Sequence, residues 1–255
     1  MVSEFMLQQT PVSRVLAPYE AWLERWPTPA ALAAEPSGEA VRAWGRLGYP
    51  RRALRLHAAA VAITERHGGA VPSEYEALRE LPGVGDYTAS AIASFAFGRR
   101  HAVLDTNVRR VLGRAVAGVE YPSPSVTRAE RDRADALVPD TDPEVWAVAV
   151  MELGALVCTA NGPRCEACPI ADTCAWQAAG RPPYEGPARK VQTYDGTDRQ
   201  CRGRLLAVLR HSDEPVTADR LALAWPSAIQ RERSLASLLH DGLVVQEGQR
   251  YSLPG

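Results

Sequence analysis

The sequence predicts a mainly α-helical protein of two or three compact units, and three observations carry that prediction. Apolar residues recur at helical spacing through most of the chain, in segments that open at Ser or Pro and stop at Gly. Alternating strand patterns are almost absent before residue 240. One stretch, "GRPPYEGPARKVQTYDGT" (Gly180 to Thr197), replaces the apolar rhythm with prolines, glycines and charges and reads as a linker. With 255 residues, 46% of them hydrophobic and 23% charged, the chain is long enough for a sizeable core.

"SEFMLQQT" (Ser3 to Thr10) reads as an opening helix with Glu4 and Gln8 on one face. A solvated glutamate is the ordinary reading of Glu4 taken alone. "PSGEAVRAWGRLG" and "PRRALRLHAAAVAITERHGG" are capped helices from Pro36 to Gly48 and from Pro50 to Gly69. In "YEALRELPGVGDYTASAIASFAF" one helix runs to Leu81, the turn Pro82-Gly83-Val84-Gly85 follows, and a small-residue helix begins near Asp86. Two glycines one residue apart permit positive φ and close approach of a ligand to the backbone. The N–H groups opening the second helix can bind a phosphate, so the frame is a helix-hairpin-helix, a sequence-independent grip on the DNA backbone. In "AVLDTNVRRVLGR", Asp105 or Thr106 caps a helix from Asn107, with Val108, Val111, Leu112 and Ala115 toward the core. Arg109, Arg110 and Arg114 are expected on the opposite face, where phosphates are met.

Four of the five cysteines cluster as Cys158, Cys165, Cys168 and Cys174, and spacings of x6, x2 and x5 let the sulfurs converge on one metal centre. Structural zinc and an iron-sulfur cluster both suit that set, and disulfides suit a cytoplasmic chain poorly. Cys201 is read as an ordinary partly buried thiol. No apolar run reaches the roughly 20 residues of a membrane span, and no basic-then-apolar leader precedes the first motif, so the cytoplasm is expected. A net charge of -1 argues against a uniformly basic nucleic-acid binder, and Lys190 is the only lysine. After the linker, "CRGRLLAVLRH", "TADRLALAW" and "SAIQRERSLASLLHDG" are three short helices and "LVVQEGQRYSLPG" a two-stranded hairpin. That is a winged-helix pattern, with Arg231 and Arg233 as its obvious phosphate ligands; a packing or protein-contact module is the equal alternative.

"SEFMLQQT", "WGRLGY", "LPGVGDYTA", "LDTNVRRVL" and "MELGALVC" with the cysteine cluster run in order from residue 3 to about residue 178. Together they resemble the endonuclease III superfamily of DNA glycosylases, specifically its MutY-type adenine glycosylase branch. The resemblance implies a [4Fe-4S] cluster rather than zinc at Cys158, Cys165, Cys168 and Cys174. It implies a six-helix domain with the hairpin over residues 1–115, a cluster domain over 116–180 and an active-site cleft between them, followed by a linker (181–199) and the winged-helix-like domain (200–255). Glu4 matches the acid that protonates the target adenine and helps activate water, and Asp105 the aspartate that stabilises positive charge on the sugar. Tyr87 and Asn107 match residues supporting that aspartate. Gln9 and Tyr49 match the wedges that enter the duplex, with Gln8 beside the first, while Leu81, Gly83, Val84 and Gly85 match the DNA-gripping hairpin.

Breaking an N-glycosidic bond develops an oxocarbenium-like sugar, so one carboxyl must give a proton and another must stay ionised. Desolvation by Phe5, Met6 and Leu7 is expected to raise Glu4, and helix N–H groups to keep Asp105 charged. The base must leave the stack, at a few kcal/mol, less at a mismatch. Bifunctional members of the superfamily attack with a lysine where Tyr87 stands. With Lys190 in the linker, a monofunctional hydrolase is expected, acting in base excision repair on adenine opposite 8-oxoguanine or guanine. Double-stranded DNA is the expected partner and a cytoplasmic, nucleoid-associated monomer the expected state. Thymine or uracil mismatch glycosylases are the nearest alternative, and they usually lack an acid at the Glu4 position. A lesion-binding protein with little turnover is the other, and it needs neither Glu4 nor Asp105. Departures from the family are Val148, four residues before Glu152, where a polar side chain is usual, and Thr106 in place of glycine. The family's preceding helix has no counterpart ahead of Glu4. The C-terminal part does not resemble the NUDIX-like domain that recognises 8-oxoguanine, so discrimination between 8-oxoguanine and guanine is expected to be weaker than in the full-length family architecture, with any remaining preference coming from Gln9 and Tyr49 or from the C-terminal module.

Overall fold

A computed structural model describes residues 1–186 and 194–255. Helices dominate: α1 (Val2–Leu7), α2 (Val12–Arg25), α3 (Pro29–Ala33), α4 (Ser37–Trp44), α5 (Arg51–Arg66), α6 (Tyr75–Arg79), α7 (Asp86–Phe97), α8 (Thr106–Ala115), α9 (Arg128–Leu137), α10 (Pro143–Leu156) and α11 (Ala175–Ala178). Two 3-10 turns, Cys165–Ala167 and Ala171–Thr173, lie between α10 and α11. The C-terminal part holds α12 (Asp198–Arg210), β1 (Val216–Thr217), α13 (Ala218–Ala222), α14 (Ala228–His240), β2 (Val245–Glu247) and β3 (Arg250–Ser252). Lys190 and the middle of the expected linker lie outside the described residues.

The chain forms two compact units. The first takes Met1–Pro72, Leu81–Gly83 and the described part of Lys190–Gly255. Its core gathers Phe5, Met6, Trp22, Trp44 and Ile63, all essentially without exposure. Trp22 meets Trp26 and Trp44 edge-on, with centroids 4.7 and 5.9 Å apart, the geometry that aromatic quadrupoles favour. On α5 the buried residues Leu56, Ala59, Ala60 and Ile63 follow helical spacing. Thr28 caps α3 by accepting from the Ala31 N–H at 3.2 Å, which satisfies one donor left open at a helix start.

The C-terminal helices begin at Thr197, Thr217 and Ser227, each a side-chain cap. The strands pair antiparallel in the order β1-β3-β2, so the expected hairpin gains β1 as a third strand. This segment belongs to the same unit as α1 to α5, and the contacts that join it are specific. Arg42 donates to the carbonyls of Arg210 and Ser212, Arg210 donates to Val41 O at 2.9 Å, and Gly38 N–H donates to Pro254 O at 2.8 Å. Burial brings the Arg210 pKa down to about 10. The two arginines read as phosphate ligands are engaged internally: Arg233 grips Asp198 through two bonds of 2.6 and 2.7 Å, and Arg231 holds the Trp225 carbonyl at 2.7 Å.

The second unit takes Ser73–Glu80 and the described part of Val84–Arg189. Here α8 packs on α10, and α6 and α10 on α7, around a cluster of Ala102, Leu104, Val108, Leu112, Ala134 and Val138. The first hairpin helix ends at Arg79, short of Leu81. The three arginines of α8 do not line an open face. Arg110 and Arg114 are buried, and Arg109 is bound to Glu130 at 2.6 Å with both side chains largely covered. Arg110 and Arg114 end on backbone carbonyls of Gly154, Cys158, Thr159 and Ala160, which draw them inward. Among the described residues no helix is long and apolar enough to cross a membrane.

A β-carbon added at Gly38 would stand 2.3 Å from Pro254 O. In an isolated helix a glycine-to-alanine change is worth up to about 1 kcal/mol of stabilisation. Gly38→Ala is expected to do the reverse, lowering the urea midpoint and exposing the C-terminal segment to limited proteolysis. A raised midpoint would show that this contact yields freely.

Candidate active site and cysteine centre

In the first unit α1 presents Glu4, partly buried, beside the fully buried Phe5 and Met6. Burial lowers the pKa of the Met1 amino group, and the neighbouring Glu4 carboxylate pulls it the other way. The helix has no side-chain cap at its N-terminus. Its C-terminal carbonyls are taken by one buried guanidinium instead: Arg52 Nη1 donates to Phe5 O at 2.7 Å, Met6 O at 3.2 Å and Gln8 O at 2.6 Å. Arg52 Nη2 reaches Thr10 Oγ1 at 3.1 Å and Gly48 O at 3.2 Å. Gln9 follows at φ 54° and is exposed, and Tyr49 sits at φ 45° with 51% of its surface open. Both expected wedges are therefore non-glycine residues in the left-handed region, which is sparsely populated and marks functional sites.

The hairpin turn also has its reasons in sequence. Gly83 has φ 79°, and a β-carbon there would stand 2.6 Å from Arg55 Cβ and 3.0 Å from a Phe5 ring carbon. Leu81 and Val84 are buried at 3% and 5% exposure, so what they offer a ligand is backbone. Gly85 is exposed. Within the second unit, Arg79 donates to Val84 O at 3.0 Å and pairs with Asp86, which also accepts from Tyr75 and Arg131.

Asp105 caps α8: its Oδ1 accepts from Val108 N–H at 2.6 Å and its Oδ2 from Asn107 Nδ2 at 3.0 Å. Arg110 fixes Asn107 in turn through a 2.8 Å bond to Oδ1 and donates to Gly154 O and Cys158 O, each at 2.6 Å. The close approach of α10 needs Gly154, where a β-carbon would lie 2.8 Å from Asn107 Cβ. Burial raises the Asp105 carboxyl above its ordinary pKa, and the bonds from Val108 and Asn107 and the charge of Arg110 oppose that rise without cancelling it. The expectation that helix N–H groups hold this acid down is thus corrected by desolvation. Tyr87 packs against the cluster of Ala91, Val103 and Ala147, and Val148 is half exposed.

The four clustered cysteines are free thiols, as is Cys201, which is fully buried. Burial pushes the Cys165 thiol up, Arg181 opposes this, and Cys158, Cys168 and Cys174 all act on it, so the four sulfurs share one neighbourhood. Among the described residues no three His, Cys, Asp or Glu side chains are drawn to ion-holding spacing. Arg114 braces the loop: it donates to Cys158 Sγ at 3.4 Å and Thr159 O at 2.8 Å, and lies over the Trp176 ring at 4.7 Å. An all-thiol donor set beside a buried cation suits an anionic thiolate centre.

Arg52, Thr10, Arg110 and Arg114 are the structural members of these sites that the sequence reading missed as such. The available signal was an arginine on an apolar stripe, as Arg52 stands one turn before Leu56 on the buried face of α5.

Comparison with known proteins supplies the remaining context. The family model of the HhH-GPD superfamily base excision DNA repair proteins matches residues 2–134. The chain is 55% identical to the adenine DNA glycosylase of Mycobacterium tuberculosis across all of this chain and 84% of that protein. It is 44% identical to the adenine DNA glycosylase of Homo sapiens across 68% of this chain and 32% of that protein. Among solved structures a thermostable thymine-DNA glycosylase superposes with a TM-score of 0.64 at 27% identity, over 70% of this chain and 82% of that one.

Asp105→Asn retains a cap acceptor and removes the buried charge. A carboxyl whose folded pKa lies above its unfolded one favours the fold below the unfolded pKa, and that contribution is lost as pH rises through the folded value. At pH 7 the Asn variant is therefore expected to be the more stable protein in urea, with the gap closing as pH falls toward about 4. A less stable variant at pH 7 would mean that the cap bonds outweigh desolvation.

Proposed function

Because the chain belongs to the HhH-GPD superfamily of base excision DNA repair proteins, and within it to the adenine DNA glycosylases, we propose that it hydrolyses the N-glycosidic bond of adenine mispaired with guanine or 8-oxoguanine in double-stranded DNA. The observation that carries this reading is a pair of carboxylates in unlike settings: Glu4 on a short helix pinned by Arg52, and Asp105 fixed in place by Val108 N–H and Asn107. Glu4 protonates the departing adenine and then takes a proton from water as its oxygen bonds to the sugar carbon. Asp105, ionised, faces the positive charge that develops on the sugar, and Asn107 and Tyr87 hold it there. The rise that burial imposes on Asp105 makes its carboxylate a stronger partner for a cation that is itself withdrawn from water. Gln9 and Tyr49, with Gln8, enter the duplex, and the Leu81 to Gly85 turn grips a phosphate through its backbone. Adenine leaves and an abasic strand remains intact, since the chain's single lysine, Lys190, stands far from the catalytic motifs in sequence.

Cys158, Cys165, Cys168 and Cys174 are proposed to hold a [4Fe-4S] cluster, supported by their four free thiols and by Arg114 at Cys158 Sγ. Such a cluster, when bound, ties the loop's segments to one point and takes no part in the hydrolysis derived above.

Single-turnover assays on duplexes carrying adenine opposite guanine and opposite 8-oxoguanine, with thymine opposite guanine as the rival substrate, test the proposal. Adenine release is expected, with strand scission only after alkali, and Glu4→Gln should slow it by at least about 100-fold. Faster release of thymine would place the chain with the thymine glycosylases, and an unchanged rate in Glu4→Gln would remove the acid assignment. Purified protein is expected to be brown, with iron and acid-labile sulfide in equal amounts. Zinc in their place would overturn the cluster.

A further inference from the structure

We propose that Arg52 is a positioning residue for extrusion of the target nucleotide: one guanidinium sets the two duplex-entering turns relative to each other and to the helix that carries Glu4. The inference rests on the wedge roles proposed for Gln9 and Tyr49.

The orientation of the carbonyl before a residue defines that residue's φ. Gln9 and Tyr49 are the two non-glycine residues of this region with positive φ, and the carbonyls immediately before them, Gln8 O and Gly48 O, both accept from Arg52, at 2.6 and 3.2 Å. Thr10, directly after Gln9, accepts from Arg52 Nη2 and donates to Leu47 O at 3.4 Å, so the two turns are also stitched on their far sides. The Arg52 backbone N–H bonds Tyr49 O at 3.0 Å. Its guanidinium carbon lies 5.5 Å from the Tyr49 ring centroid and 5.2 Å from that of Trp44, whose indole N–H holds Gly48 O at 2.9 Å. Left-handed backbone at a bulky residue is strained and persists only where neighbours over-determine it. Here the neighbours converge on one side chain.

The guanidinium meets carbonyls, one hydroxyl and two ring faces. A cation buried at 6% exposure on acceptors of this kind is placed to hold backbone rather than to neutralise an acid. Only a planar fork reaches both turns at once. A lysine carries the charge but gathers its donors at a single point, so it can secure one turn and must release the other.

The consequence separates extrusion from chemistry. Wedges set at the wrong spacing displace the paired base poorly, while an adenine that has no partner to leave needs little help. The test compares wild type, Arg52→Lys and Arg52→Met in single-turnover excision of adenine opposite guanine and of adenine opposite a tetrahydrofuran abasic analogue. It is paired with the fluorescence of 2-aminopurine placed at the target position, which brightens on unstacking. Both variants are expected to lose about 10- to 100-fold more rate on the mispair than on the abasic-opposed adenine, the range that 1.4 to 2.8 kcal/mol of misplaced wedge would produce, and to lose the fluorescence rise. Equal losses on the two duplexes, or an intact fluorescence rise, would overturn the proposal, because a general loosening of the fold slows both alike. Where Arg52→Met does not melt cooperatively, Arg52→Lys carries the comparison. A wild-type protein that excises neither adenine refutes the functional reading instead, and the fluorescence comparison still decides the role of Arg52.

Discussion

A helix of six residues lies well below the length at which isolated helices persist in water, so α1 exists through what surrounds it. Two contributions are visible: Phe5 and Met6 are completely buried, and the carbonyls at the helix C-terminus converge on Arg52. A buried cation without a carboxylate is costly by several kcal/mol. Charged hydrogen bonds of roughly 1.5 to 3 kcal/mol each, the negative end of the helix dipole and the ring faces of Trp44 and Tyr49 offset that cost. The placement of Glu4 and of both turns beside it thus hangs on one side chain from α5. The same turn region meets the hairpin, since Gly83 packs against Phe5 and Arg55 too closely to admit a β-carbon.

The second unit repeats the device around different chemistry. Arg110 and Arg114 leave α8 inward and end on backbone carbonyls of α10 and of the cysteine loop. Arg110 also orders Asn107, and Asn107 orders Asp105; the acid that faces the sugar in the proposed reaction therefore shares its support with Cys158. A guanidinium offers five donors in a rigid plane and is weakly hydrated, which suits burial among carbonyls. Lysine suits it poorly, and Lys190 is the chain's single one. Arginine in place of lysine is thus used by the fold at three buried positions, Arg52, Arg110 and Arg114.

Much of this was legible beforehand, for reasons that differ by element. The helices α4, α5 and α7 are strongly periodic or stop at glycine, so local sequence specifies them. The Asp105 cap was readable because a short polar side chain before an apolar helix has few other uses. The direction of the Asp105 shift was not, because capping is local while desolvation depends on how much of the unit closes over the carboxyl. The α8 arginines were misplaced for a related reason: a helical wheel assigns charge to water and cannot know that unmet carbonyls from α10 lie across it. The left-handed conformations of Gln9 and Tyr49 left no trace in their own identities, since neither is glycine or asparagine. Their cause is Arg52, more than 40 residues from Gln9 along the chain.

The C-terminal segment shows how sharing a unit changes what a module can do. A winged helix that reads DNA by itself needs free cations on its last helix, yet Arg233 is bound to Asp198 and Arg231 to a carbonyl of its own segment. Their charge is spent on internal order, and α14 instead exposes Ile229, with Leu223 open just before it. Meanwhile Arg42, Gly38 and Val41 of α4 bind Arg210, Ser212 and Pro254, so the segment is fastened to the unit that carries the wedges. The match to the human protein covers 68% of this chain, whereas that to the mycobacterial one covers all of it. A part fastened by backbone bonds at both its first helix and its last residues is built to hold a fixed position beside α4. Its place in the first unit is therefore set by Arg42, by Arg210 and by the bond from Gly38 N–H to Pro254 O.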